Sequence, residues 1–149
     1  MEQLGIWEPD WLVGAVMTVG TVVFHIIGLG LIHLVFLRIL ARLRGSRHNE
    51  AIRSLLLLTP VVAMIFLLHA LESFSWAATY VLFGATDHWR EAVVYSMGAL
   101  STYGHDQVYL RPEWALLGAI QALNGMLIFG LTIAFLAAVI RQVWAGAPI

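Results

Sequence analysis

Residues 85–113 read ATDHWREAVVYSMGALSTYGHDQVYLRPE, and how this stretch lies decides the fold. Its first half, residues 87–100, reads as a helix of about a dozen residues with Asp87 suited to the N-cap. At about 1.5 Å per residue such a helix is too short to cross a hydrocarbon core of about 30 Å, yet it is too apolar for an exposed loop. Its second half, LSTYGHDQV at residues 100–108, is polar and turn-like. Pro112-Glu113-Trp114 then restarts a helix, with proline at a position that tolerates it and an acid near the positive end of the dipole. A short apolar helix followed by irregular polar chain predicts a re-entrant loop. Non-helical backbone is tolerated at membrane depth only where protein buries it or where it lines a water-filled cavity.

Long apolar runs lie on both sides. Residues 11–37 and 114–140 carry no formal charge, and residues 54–84 are interrupted only by His69 and Glu72. Each exceeds the roughly 20 residues that a spanning helix needs, so tilting is expected. The 149-residue chain is 60% hydrophobic and 11% charged, less than half the charge of an average soluble domain at about 25%. The expected fold is an all-α integral membrane protein with three transmembrane helices, a re-entrant pore helix and a filter-like loop. Absence of cysteine removes disulfides and thiolate metal sites, and a net charge of −1 gives no footprint for nucleic acid. The N-terminal MEQLGIWEPDW is acidic where a cleaved signal would be basic, so the first run is read as a permanent span.

Arg38, Arg42, Arg44, Arg47 and Arg53 cluster around the first loop and Arg141 follows the third run, leaving Arg90 and Arg111 opposite. The positive-inside rule then places the N-terminus outside and the C-terminus in the cytoplasm, in a plasma (cell inner) membrane. Trp7, Trp11, Trp89, Trp114 and Trp144 near the span ends form the interfacial belt.

Span, short helix, polar loop, span resembles the pore module of the potassium channel superfamily. Thr102-Tyr-Gly-His-Asp-Gln107 aligns without gaps to the family's Thr-Val-Gly-Tyr-Gly-Asp. Residues 92–97 resemble the pore helix, and residues 110–118 and 121–130 resemble the inner helix of small bacterial ion-channel relatives. His69, Glu72, Trp76 and Ala77 match a pattern often found in their outer helix. The filter departs from the family: His105 stands where tyrosine is usual and Asp106 where the second glycine is usual. The resemblance implies a pore module over residues 54–149. Residues 1–53 would supply an extracytoplasmic tail, a first transmembrane helix packed outside the module, and a basic cytoplasmic loop. It also implies a homotetramer in a lipid bilayer that conducts monovalent cations passively, K+ or also Na+, without a chemical step.

Ser101, Thr102, Tyr103, Gly104, His105 and Asp106 are the expected ion pathway. A ring of Asp106 carboxylates at the outer mouth would suit a divalent ion, since oxygen clusters attract such cations. His69 and Glu72 stand one turn apart on one helix face and are expected to pair, either as a tie to the pore helix or as a protonation-sensitive latch. Gln121 and Asn124 are expected to hydrogen-bond across subunits or to the base of the filter. Gly125 and Gly130 permit close helix packing or, by the resemblance, a gating hinge. His25 and His69 fall at similar depth, the arrangement that ligates a membrane haem, with polar contact between helices as the plainer reading. The alternatives to a channel are therefore a non-conducting structural or regulatory membrane protein on the same scaffold, and a haem- or metal-binding subunit.

Overall fold

The computed structural model describes residues 8–43, 49–104 and 108–145. They form helices α1 (Glu8–Leu43), α2 (Glu50–Leu82), α3 (Trp89–Leu100) and α4 (Ala115–Ala145), the last preceded by a single 3-10 turn at Pro112–Trp114. Three of these helices are long and apolar enough to cross a membrane. At about 1.5 Å per residue, α1 with its 36 residues is about 54 Å long. Only 22–28% of the most apolar window of each long helix is buried within the chain. The rest presents leucine, isoleucine, valine and phenylalanine outward, as expected of surfaces that meet lipid or other subunits.

Local chemistry accounts for the boundaries. Asn49 caps α2, its side chain accepting from the Ala51 N–H at 3.1 Å, with Glu50 in the first turn. Helix α2 continues through Pro60, which lacks an N–H to offer the preceding turn. It ends where Gly84 takes φ +70° and the Ala85 N–H returns to the Tyr80 carbonyl at 2.8 Å. Helix α3 begins after His88, not after a capping Asp87. The Asp87 carboxylate is taken instead by Arg111, whose Nη2 lies 2.8 and 2.7 Å from its two oxygens. Arg111 also donates its backbone N–H to the Ala85 carbonyl at 3.0 Å, so the two ends of the excursion are pinned together.

Helix α3 lies between α2 and α4, while α1 packs against α4 and α2. Two apolar clusters result. One joins Trp76, Tyr80, Ala92, Tyr95, Ala99, Leu117 and Ile120 around α3. The other joins Leu29, Ile32, Phe36, Leu57, Val61, Ile65, Leu68 and Val139 among the three long helices, so α1 shares a core with α2 and α4. Buried polar side chains lie on the helices between them: Thr21 and His25 of α1, Glu72 and Ser73 of α2, and Gln121, Asn124 and Thr132 of α4.

Candidate functional site

The C-terminal end of α3 is seated deep against α4. Tyr95 fills the space beside Gly118, Ser96 meets Gln121, and the Leu100 carbonyl lies directly against Gly125. Alanine at Gly125 would drive its Cβ into that carbonyl, so glycine here is required by close backbone approach. Gly130, by contrast, faces open space within the chain.

Beyond Leu100 the chain folds back on the helix end. The N–H groups of Ser101, Thr102 and Gly104 donate to the carbonyls of Met97, Ala99 and Gly98 at 3.0, 3.1 and 3.2 Å. The Ser101 hydroxyl donates to Met97 as well, at 2.7 Å. This closure puts Thr102 at φ 56° and Gly104 at φ 86°. Thr102 is β-branched and pays a steric cost in that region that glycine does not. Residues 101–104 are all exposed, with Tyr103 90% accessible. His105 and Asp106, expected at the outer mouth, lie outside the described residues.

Below this turn, Gln121 joins three elements. The Tyr80 hydroxyl donates to Gln121 Oε1 at 2.5 Å. Its Nε2 donates to the Ser96 hydroxyl at 2.7 Å and the Ser96 carbonyl at 3.2 Å. The Ser96 hydroxyl donates onward to the Ser73 carbonyl at 2.7 Å. Gln121 thus makes its hydrogen bonds within one chain, to α2 and to the middle of α3. Asn124 turns the other way and donates from Nδ2 to Thr21 Oγ1 on α1 at 3.3 Å. Its buried Oδ1 has no hydrogen-bond partner among the described residues.

A second polar group lies further along the long helices. His25 Nδ1 is 2.8 Å from Glu72 Oε1, and His69 Nδ1 is 3.1 Å from Glu72 Oε2. The two Nε2 atoms lie 3.1 and 3.2 Å from the single hydroxyl of Thr132. His25 and Glu72 are fully buried, and the His69 side chain is 14% accessible. Glu72 therefore pairs with His69, as its spacing suggests, but its other partner is on α1 and not on α3. The imidazoles meet with ring centroids 5.3 Å apart, bridged on one side by a carboxylate and on the other by a hydroxyl. No slot for a macrocycle remains between them, so the two histidines do not fit axial haem ligation. His33 stands apart, against Phe36 and Phe135.

Thr132, Ser96 and Tyr80 complete these contacts, and no motif in the sequence points to them. For Thr132 a signal existed: residues 121, 124, 128 and 132 follow a helical period, so its hydroxyl shares a face with the two amides. Comparison with protein-family models, curated proteins and solved structures gives no match in any of the three.

Proposed function

We propose that this chain is a subunit of a membrane channel that passes monovalent cations, with residues 101–106 on the ion path. The observation that carries the proposal is the seat of α3. A twelve-residue helix is wedged between two span-length helices and stops beside Gly125, ten residues and about 15 Å into α4. If α4 spans the bilayer, α3 enters it part-way from the side of Ala85 and Arg111. The negative end of its dipole then points toward the polar turn, an orientation that favours a cation. The resemblance of about residues 60–140 to a potassium channel pore module supports the same reading.

A single chain leaves residues 101–104 open on one side, so enclosing a path requires further copies, and the resemblance implies four. The arginine-rich connection between α1 and α2 would lie in the cytoplasm and the excursion at 85–113 outside, by the distribution of basic residues. Ion dehydration would fall to the Thr102 hydroxyl and the main-chain oxygens of the turn, with Asp106 concentrating cations at the mouth.

One observation favours the second reading, a non-conducting membrane protein on the same scaffold. The turn folds back on its helix, donating three N–H groups to it, instead of running on as extended chain. Flux separates the two. Purified protein in liposomes under a K+ or Na+ gradient is expected to release the gradient faster than empty vesicles, and substitutions at Gly104 and Asp106 are expected to change the K+/Na+ ratio. Leakage no faster than from empty vesicles, in samples with intact helical content, would remove the channel assignment.

A further inference from the structure

We propose that His25, His69 and Glu72 form a buried site for a divalent transition-metal ion of the zinc class, between α1, α2 and α4. The inference is independent of whether the chain conducts. Thr132 Oγ1 makes three contacts: to His25 Nε2 at 3.1 Å, to His69 Nε2 at 3.2 Å and to the Ile128 carbonyl at 2.9 Å. A hydroxyl has one proton and two lone pairs. The Ile128 oxygen can only accept, so the Thr132 proton goes there and both Nε2 atoms must donate.

Each neutral ring then has a bare Nδ1 lone pair, and each Nδ1 faces an oxygen of the Glu72 carboxylate, at 2.8 and 3.1 Å. Acceptor would meet acceptor twice over. With the three Thr132 contacts, five contacts need filling, and two neutral imidazoles, a carboxylate and a hydroxyl bring only three hydrogens. The arrangement requires two further positive charges between the Nδ1 atoms and the carboxylate. Two protons would supply them either as two imidazolium rings with centroids 5.3 Å apart or as one imidazolium beside a protonated Glu72, in each case leaving a charged ring in a buried site. One divalent ion places both charges at a single point and bonds both nitrogens and the carboxylate together.

The ligand chemistry fits. Two imidazole nitrogens and one carboxylate form a set used for Zn2+, with one position left open, and the softer nitrogen ligands disfavour Ca2+ and Mg2+. The three ligand atoms lie within 4.8 Å of one another. Bonds of about 2.0–2.2 Å place ligand atoms of a tetrahedral site about 3.3 Å apart, so the nitrogen–oxygen pairs at 2.8 and 3.1 Å open by a few tenths of an ångström, and a pair near the 4.8 Å limit closes by up to about 1.5 Å, to admit the ion. An outer shell is already in place: Thr132 fixes the orientation of both rings through their distal nitrogens, and Phe129 packs on the His69 ring at 4.7 Å. His69, partly accessible, is the edge by which an ion enters. A bound ion would join α1 directly to α2, with α4 attached through the Thr132 hydroxyl.

The test uses full-length protein without a polyhistidine tag, purified in detergent and stripped with chelator, and titrated with Co2+ as optical probe and with Zn2+. Expected are one ion per chain, visible Co2+ bands of a nitrogen–oxygen site, and a Zn2+-dependent rise in the unfolding midpoint. His25→Gln and Glu72→Gln should weaken binding at least about tenfold, while His33→Gln should leave it unchanged. Thr132→Val keeps all three ligands and is expected to fold, with affinity reduced about 10- to 100-fold. A wild-type protein that takes up no stoichiometric metal overturns the proposal. So does binding that survives both His25→Gln and Thr132→Val, or binding lost in His33→Gln.

Discussion

Tyr80 donates its hydroxyl to Oε1 of Gln121 at 2.5 Å, and both side chains are fully buried. The bond ties α2 to α4, and the other end of the amide holds Ser96 of α3. Tyr80→Phe leaves the Gln121 oxygen without that donor. Hydrogen bonds between membrane helices average about 0.6 kcal/mol and reach about 1.7, because the unfolded reference also finds partners. Tyr80→Phe is therefore expected to cost about 1 kcal/mol. Gln121→Leu orphans the Tyr80 hydroxyl and disturbs Ser96 together, and should cost about 2 kcal/mol or more, at roughly 1–3 for each unsatisfied group. Unfolding by denaturing detergent measures both, and equal losses would contradict the proposed hub.

The second amide of α4 should behave differently. Asn124 donates once, to Thr21, and its Oδ1 is unpaired within the described chain. Asn124→Leu exchanges that orphan for apolar packing at the loss of one long hydrogen bond. The net change is expected within about 1 kcal/mol of zero for the isolated chain. Unfolding by denaturing detergent measures the difference, and a loss as large as that of Gln121→Leu would contradict it.

How far these contacts can be read from the sequence differs by element. Span lengths, the twelve-residue α3 and the restart at Pro112 follow from runs of apolar residues and from positional chemistry. The mutual depth of His25 and His69 follows from counting along the runs. Rotation of α1 does not, because α1 is apolar on nearly every face and carries no stripe to say which side meets α4. Thus the pairing of Glu72 with His25, and of Asn124 with Thr21, is absent from any local pattern. Asp87 illustrates the same limit: its position favours a cap, but an arginine 24 residues away takes the carboxylate.

The two glycines of the expected inner helix should separate on substitution. Gly125→Ala pushes a methyl into the Leu100 main chain, which has no side-chain freedom to yield. A loss of about 1–3 kcal/mol, typical of overpacking, is expected, with α3 displaced from α4. Gly130→Ala meets nothing within 4 Å in this chain and gains up to about 1 kcal/mol of helix propensity. Should Gly130→Ala instead abolish flux while raising stability, Gly130 would be the bending point and Gly125 a packing site.

Arg111 and Asp87 form a two-oxygen pair at the surface, with side chains 47% and 70% accessible. Exposed pairs contribute about 0–1 kcal/mol and weaken with salt. Asp87→Asn should accordingly change stability by less than about 1 kcal/mol, and the difference should shrink in 1 M salt. Arg111→Ala removes the same pair but keeps the backbone bond to Ala85, so it should match Asp87→Asn closely. A larger loss for Arg111→Ala would mean that its guanidinium also shields the Gly84 turn, whose added Cβ would lie 3.6 Å from Nη1.

Thr102 is, among the described residues, the non-glycine residue with positive φ, and it stands at the foot of the polar turn. The left-handed conformation costs an L-residue roughly 1–2 kcal/mol, more for a β-branched side chain than for an asparagine. Thr102→Gly should relieve that strain and raise stability by up to about 1 kcal/mol, net of the extra freedom glycine gains in the unfolded chain. Gly104→Ala, at φ 86°, should lose a similar amount although its Cβ would touch nothing. Function should run opposite to stability at Thr102. If its hydroxyl coordinates the permeant ion, Thr102→Gly gives a more stable protein with lower or less selective flux, and Thr102→Ser retains both. Flux in liposomes unchanged by Thr102→Gly would take the threonine off the ion path and leave the positive φ as a product of the helix closure alone.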